Sequence, residues 1–236
     1  MNRRAEELGL RSARFRNVTG LDDPEQRISS ADLARLARHI ITEFPEFYPT
    51  YARREFTYNN HTQQNRNPLL GAFAGADGVK TGHTESAGYC LIASAKREQR
   101  RLLSVVLGAG SDGARAMESQ KLLNYGFQFF ETVKLYPANQ AVSSLRIYKG
   151  KGSEVKAGFL SDFHVTVPRG MSKNIQAQLV TQQPLLAPVR RGQKLGTLRL
   201  SVDGQPVGDY PLLALENVPV AGILGRGWDN ILLMFK

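Results

Sequence analysis

The 236-residue chain has an ordinary globular composition, with 42% hydrophobic and 22% charged residues. This balance excludes a disordered, collagen-like or coiled-coil protein. A single cysteine, Cys90, excludes an internal disulfide framework and a cysteine-based zinc site. Lysine and arginine number 31 against 21 acidic residues, a formal charge of +10. This excess favours an anionic partner: nucleic acid, a membrane surface or an acidic wall polymer.

The first 134 residues predict two helices that flank three strands. A capping serine and apolar residues at helical spacing predict a helix over residues 30–43. A second helix is predicted over residues 112–130, and its expected buried face comprises Met117, Leu122, Leu123 and Phe127. Between the helices lie three strand-like runs, at residues 79–84, 87–95 and 102–108. This order is typical of an antiparallel sheet covered by helices.

The remainder of the chain predicts a different architecture. Residues 135–219 show short apolar runs separated by glycine, proline and polar residues, a pattern typical of a small all-β domain. Residues 220–236 predict an amphipathic helix. Its apolar face, which suits either a membrane interface or packing on its own domain, comprises Ile223, Leu224, Trp228, Ile231, Leu232 and Phe235. The sequence has no apolar run of about 18 residues and no apolar leader, so it predicts neither a spanning helix nor a signal peptide.

The most informative stretch is Lys80-Thr81-Gly82, which lies in a predicted strand. The same triplet occurs in penicillin-recognising serine enzymes, together with Ser-x-x-Lys and Ser-x-Asn. The lysine supplies positive charge for a carboxylate, the threonine hydroxyl can donate to it, and the glycine leaves room for substrate backbone beside the strand. The backbone N–H of the next residue can point at a developing oxyanion. An ordinary strand end is the alternative interpretation.

Besides this triplet, several other segments of the chain resemble those of one protein family. The run Asp77–Tyr89 is the most specific. The other matching segments are Met1–Gly20 with Leu21-Asp22, Phe56–Asn59, Asn65–Asn67 and Arg115–Thr132. Together they resemble the low-molecular-mass D-alanyl-D-alanine carboxypeptidases of bacteria, which are penicillin-binding proteins with a membrane-anchored β domain. The resemblance implies an α+β fold in which residues 1–134 form the C-terminal part of a penicillin-binding, β-lactamase-like domain. Residues 135–219 would be the all-β domain, and residues 220–236 the membrane anchor.

The resemblance also implies roles for particular residues. The Lys-Thr-Gly triplet corresponds to the third active-site motif of the family. The backbone N–H of His83 would contribute to the oxyanion hole. Arg115 would reach the terminal carboxylate of the substrate, and Arg66 would lie near the cleft entrance.

The implied reaction is acylation of a serine by a peptidoglycan pentapeptide ending in D-Ala-D-Ala, with release of D-alanine and then deacylation by water. β-Lactams would be trapped at the acyl stage. The implied location is the periplasmic face of the inner membrane, with the C-terminal helix on the lipid. No cofactor and no metal are implied. The expected partners of the positive charge are then anionic lipid and the carboxylates of wall peptide, and not nucleic acid.

Two motifs of the family are missing where its pattern expects them. No Ser-x-x-Lys or Ser-x-Asn precedes Lys80. Ser153–Lys156 and Ser172–Asn174 match these patterns, but they follow the triplet, and the first lies in a strand-like run where serine and lysine cannot share a helix face. We therefore expect a truncated, inactive fragment; the alternative is a non-catalytic module that binds wall peptide or a partner protein. Cys90 is expected to be a buried small hydrophobic residue.

Overall fold

The computed structural model describes residues 1–181, 183–222 and 229. The chain divides into two compact units, Met1–Gln128 and Phe129–Lys236. The first unit combines helices with antiparallel strands, and the described part of the second is built of strands. The α+β fold that the sequence predicts is therefore confirmed. The division falls shortly before the predicted domain boundary at 134/135, because the strand Phe130–Tyr136 pairs within the second unit.

Helices α1, α2 and α3 span Asn2–Glu7, Ser30–Glu43 and Asp112–Phe129. The bounds of α2 confirm the sequence prediction. This helix begins after Ser29, whose hydroxyl accepts a hydrogen bond from the Asp32 amide at 3.2 Å. A serine in this position satisfies one of the amides that a helix leaves unpaired at its N-terminus.

Helix α3 buries a stripe that the sequence predicts only in part. The buried residues recur every four positions and are Arg115, Ser119, Leu123 and Phe127. The placement of Met117 and Leu122 on this face is wrong, because their exposed fractions are 51% and 49%. Apolar spacing alone misses the first half of the stripe, since an arginine and a serine occupy it.

The first unit contains a hairpin and a three-stranded sheet. The hairpin pairs β1 with β2, which span Glu55–Tyr58 and His61–Gln64. The antiparallel sheet consists, in spatial order, of β3 (Ala76–Thr84), β4 (Gly88–Arg97) and β5 (Arg100–Ala109). The three runs predicted from the sequence are thus confirmed, with slightly longer ends.

The core of the first unit joins this sheet to α3. Alternate residues of β4 are completely buried and belong to one apolar cluster with Leu123 and Phe127: Leu91, Ala93 and Ala95. Helix α3 also approaches β5 closely, since a Cβ on Gly126 would lie 2.7 Å from Leu102 Cδ1. The packing therefore fixes α3, which carries Arg115, against the sheet that carries the Lys-Thr-Gly triplet.

The described part of the second unit contains eight strands. They are β6 (Phe130–Tyr136), β7 (Ala141–Tyr148), β8 (Glu154–Gly158), β9 (Phe163–Pro168), β10 (Ile175–Thr181), β11 (Leu185–Leu186), β12 (Lys194–Val202) and β13 (Gln205–Ala214). Six strands form one sheet in the order β10-β12-β13-β8-β7-β11, and β6 pairs with β9. Alternate residues such as Val155 and Ala157 point into a buried aliphatic core. The all-β architecture predicted for this region is confirmed.

The C-terminal helix stays a prediction. Its proposed apolar residues, Ile223, Leu224, Trp228, Ile231, Leu232 and Phe235, lie outside the described residues. Within the described part of the chain, no helix has both the length and the apolar character needed to cross a membrane.

Candidate active site

A cleft of about 790 Å³ in the first unit brings the six predicted site residues together. They are Arg66, Lys80, Thr81, Gly82, His83 and Arg115. Strand β3 supplies four of them, the loop after β2 supplies one, and the first turn of α3 supplies the last. A wider depression of about 1140 Å³, beside residues 2–29, contains none of them. Size alone therefore does not identify the site.

Strand β3 presents the triplet at the edge of the three-stranded sheet. Lys80 and Gly82 are exposed, whereas Thr81 between them is 9% exposed. The Lys80 ammonium donates a hydrogen bond to the backbone carbonyl of Thr81. Because β3 pairs only with β4 among the described residues, its outer edge can accept an extended peptide as an additional strand.

A polar cluster packs against β3 immediately before the triplet. Asp77 forms an ion pair with Arg101 at 2.7 Å, and Arg101 also donates to the Ser94 hydroxyl at 2.5 Å. The Tyr48 hydroxyl donates to Asp77 at 3.2 Å. Burial raises the pKa of Tyr48 to about 12. A Cβ on Gly78 would lie 2.6 Å from this hydroxyl, so the tyrosine requires a glycine there.

Two anchored asparagines place Arg66 at the cleft. The side-chain amide of Asn67, which is 3% exposed, donates to the Gly78 carbonyl of β3 at 2.9 Å. The side-chain amide of Asn65 donates to the Arg53 carbonyl at 2.9 Å. Arg66 lies between them and is exposed. The predicted position of this arginine thus follows from hydrogen bonds on both sides of it.

Arg115 lines the cleft but is only 4% exposed. Its Nη1 donates to the Gly82 carbonyl at 3.0 Å and to the Cys90 carbonyl at 3.3 Å. These two residues face each other across β3 and β4, so the guanidinium ties the two strands together. Its Nη2 pairs with the Asp112 carboxylate. Its buried Nε has no hydrogen-bond partner among the described residues.

Tyr89 organises the end of the cleft beside the predicted oxyanion position. Its ring lies against the His83 ring, with centroids 3.9 Å apart and an interplanar angle of 32°. The guanidinium carbon of Arg115 lies 5.5 Å from the Tyr89 ring centroid, within the range of a cation–π contact. Tyr89, on β4, therefore contacts two of the predicted site residues, His83 on β3 and Arg115 on α3.

The cleft wall also contains residues that sequence reasoning did not assign to the site, among them Tyr89, Cys90 and Asp112. The first two lie opposite His83 and Gly82 in the β3–β4 register, so strand pairing was the signal that could have found them. The expectation that Cys90 is buried is wrong, since it is half-buried in the cleft wall. The residue facing it is a glycine, which has no side chain to cover it.

The loop before α2 closes one side of the cleft. Thr19 and Gly20 line the cleft. Farther along this loop, the Asp22 carboxylate accepts hydrogen bonds from the Ser86 hydroxyl at 2.6 Å and from its backbone N–H at 3.5 Å. The hydroxyl contact is the largest of the effects that lower the pKa of Asp22. Since Ser86 lies in the turn between β3 and β4, this contact joins the loop to the end of the triplet-bearing strand.

The two serine patterns of the second unit are not among the residues that line the cleft. Ser153–Lys156 enters β8, where residues three apart point to opposite faces of the strand. Ser172–Asn174 forms a short 3₁₀ helix between β9 and β10. Both lie in the unit that begins at Phe129.

The cleft carries an excess of positive charge. Arg66, Lys80 and Arg115 line it, with Asp112 as the acidic residue among the described lining residues. Such a site favours an anionic ligand over a neutral one. The described residues contain no group of three or more histidine, cysteine or acidic side chains placed to hold a metal ion.

Two family models match the chain, one in each unit. Residues 1–111 match D-alanyl-D-alanine carboxypeptidase, and residues 130–220 match the C-terminal domain of penicillin-binding protein 5. The chain is 42% identical over 237 aligned positions to D-alanyl-D-alanine carboxypeptidase DacC of Escherichia coli K12, covering 100% of this chain and 59% of that relative.

Solved structures agree with these matches. Penicillin-binding protein 5 of Haemophilus influenzae superposes with a TM-score of 0.84 at 38% identity, covering 92% of this chain and 64% of that one. Penicillin-binding protein D2 of Listeria monocytogenes in its cefotaxime-bound form gives a TM-score of 0.51 at 35% identity, covering 54% and 53%. The chain thus matches D-alanyl-D-alanine carboxypeptidases and penicillin-binding protein 5 over both of its units. It spans 59–61% of the length of the first curated relatives that it matches.

Proposed function

We propose that the cleft is the substrate-binding side of a serine D-alanyl-D-alanine carboxypeptidase site, which takes peptidoglycan pentapeptide as substrate and β-lactams as inhibitors. The proposal rests on one observation: the Lys-Thr-Gly triplet, Arg66 and Arg115 all line one cleft, and the triplet lies on the edge strand of the sheet. The β-lactam part draws support from the cefotaxime-bound form of the Listeria relative.

In the proposed reaction a serine is the nucleophile, and this chain binds and orients the substrate. The serine Oγ attacks the carbonyl carbon between the two terminal D-alanines, the peptide C–N bond breaks, and D-alanine leaves after its nitrogen takes a proton. Water then hydrolyses the acyl-serine ester. The serine and its lysine would come from a segment that carries Ser-x-x-Lys. The 236-residue chain alone is therefore proposed to be inactive.

The residues of the cleft would bind and orient the peptide. Lys80, Thr81 and Arg115 would hold the terminal carboxylate, because charge-assisted hydrogen bonds from lysine and arginine select a free C-terminus. The outer edge of β3 at Gly82 would pair with the substrate backbone. The His83 backbone N–H would stabilise the oxyanion, since a fixed donor costs no reorganisation during the reaction. Arg66 would attract the substrate's carboxylates at the cleft entrance.

The proposed location is the periplasmic face of the inner membrane. One short amphipathic helix binds lipid weakly, so the net charge of +10 would assist it on anionic headgroups. Co-sedimentation with anionic phospholipid vesicles tests this part. Binding that is equal with and without residues 220–236 would contradict the proposed anchor.

Labelling with a fluorescent penicillin tests the proposed function. The 236-residue chain is expected to remain unlabelled after denaturing electrophoresis. A fusion is then made to the segment of the Escherichia coli relative that this chain does not match, where the resemblance places the Ser-x-x-Lys and Ser-x-Asn motifs. This fusion is expected to be labelled covalently.

Two outcomes would contradict the proposal. One is covalent labelling of the isolated chain. The other is a folded fusion, as judged by circular dichroism, that takes no label. Saturable peptide binding by the chain combined with an unlabelled fusion would instead favour the non-catalytic binding module.

A further inference from the structure

The Asp112–Arg115 ion pair lies inside the proposed carboxylate site. Both residues line the cleft, but the exposed fraction of the side chain alone is 56% for Asp112 and 5% for Arg115. The Nη1 of Arg115 is committed to the carbonyls of Gly82 and Cys90. The Nη2 pairs with the carboxylate of Asp112, a residue that also lines the cleft.

Asp112 offers Arg115 the same chemical group as the proposed ligand. A carboxylate beside a guanidinium forms a charge-assisted hydrogen bond whether it belongs to a side chain or to a peptide C-terminus. A ligand carboxylate must therefore displace Asp112 or bind beside a like charge, which weakens its binding. A ligand with a neutral end does not meet this repulsion.

We propose that Asp112 is a specificity-determining residue that competes with the carboxylate of the ligand for Arg115. The inference rests on the proposed function, because it takes Arg115 to be part of the carboxylate site. Asp112 then sets how much anionic charge the cleft accepts: it weakens ligands whose only anchor is a terminal carboxylate. Ligands with further contacts along β3 would be retained.

The local structure allows Asp112 to move or to be replaced. Asp112 is the first residue of α3, but the hydroxyl of Ser111 accepts the hydrogen bond from the Ala114 amide at 3.1 Å. The helix end thus keeps a side-chain cap without the carboxylate. The position of Arg115 is also held by the two backbone carbonyls that accept from it.

The test compares two ligands that differ only at the C-terminus. The 236-residue chain, labelled with ¹⁵N, is titrated with acetyl-D-alanyl-D-alanine and with its C-terminal amide, and the dissociation constants are taken from chemical-shift changes. Asp112→Asn is expected to tighten binding of the carboxylate about three- to tenfold, between the effects of exposed and buried ion pairs. Binding of the amide is expected to stay unchanged.

Two further variants serve as controls. Glu118→Gln removes the same charge from α3 at a residue that pairs with Lys121 and does not line the cleft, and should change neither ligand's affinity. Asp112→Glu keeps the charge and should keep the weak affinity for the carboxylate.

Four results would overturn the inference. They are equal carboxylate affinity in wild type and Asp112→Asn, an equal gain for both ligands, weaker carboxylate binding in the variant, and no binding of the carboxylate by any form. Weaker binding would mean that Asp112 orients Arg115 instead of competing for it. The proposed function is tested separately: a folded fusion that takes no penicillin label would contradict it.

Discussion

The phenol of Tyr48 links the stability of the first unit to alkaline pH. It is 6% exposed, and burial raises its pKa from 10.0 to about 12. Its neutral form is therefore favoured in the folded state. This contribution is fully present below pH 10 and is lost as the pH rises through 12. At 1.36 kcal/mol per pKa unit, the loss is about 1.4 kcal/mol near pH ~11 and approaches about 2.7 kcal/mol above pH ~12.

Tyr48→Phe isolates this effect, because phenylalanine cannot ionise. At neutral pH the variant should lose about 1 kcal/mol with the hydrogen bond to Asp77. Urea unfolding is measured from about pH 8 to about pH 11, with Tyr58→Phe, at a residue 75% exposed, as the control. The difference in the free energy of unfolding between wild type and Tyr48→Phe should fall by about 1.4 kcal/mol, from about +1 kcal/mol to slightly below zero. A difference that stays constant over this range would refute the reasoning.

Three other substitutions test the packing around the cleft. Leu91→Ala, at a residue with 0% exposure, should lower the free energy of unfolding by about 2–5 kcal/mol in urea titrations. Gly75→Ala should lower the melting temperature, because the residue has φ +83° and a Cβ would lie 2.2 Å from a backbone oxygen of β4. Asp22→Asn should speed amide exchange at Ser86. In wild type that protection, present above the ordinary carboxyl pKa, should fall as the pH drops through the lowered pKa of Asp22. Unchanged values would contradict each prediction.

The parts of the site that sequence predicts are local in the chain. The triplet is contiguous on one strand, so its residue types are enough to indicate its chemistry. Helix α2 could also be predicted from the sequence, because its cap and its apolar spacing lie within one short segment. These features need no knowledge of which strand lies beside which.

The parts that were missed depend on pairing and on side-chain contacts. Tyr89 and Cys90 enter the cleft wall through the register of β3 with β4. Asp77 on β3 and Arg101 on β5 form an ion pair although they are 24 residues apart in the chain. Helix spacing predicts that Asp112 lies near Arg115. It does not show that both residues line a cleft, which is the observation on which the role of Asp112 depends.

The most direct test of the central claim is release of D-alanine from a D-Ala-D-Ala peptide by the fused chain, with and without Lys80. Lys80→Ala should reduce kcat/KM by about 10²-fold or more, as expected for removal of a charge that acts on the substrate and the transition state. Lys96→Ala, an exposed lysine on β4 outside the cleft, should leave kcat/KM unchanged. Equal activity of the Lys80 and Lys96 variants would contradict the assignment of the triplet to the active site.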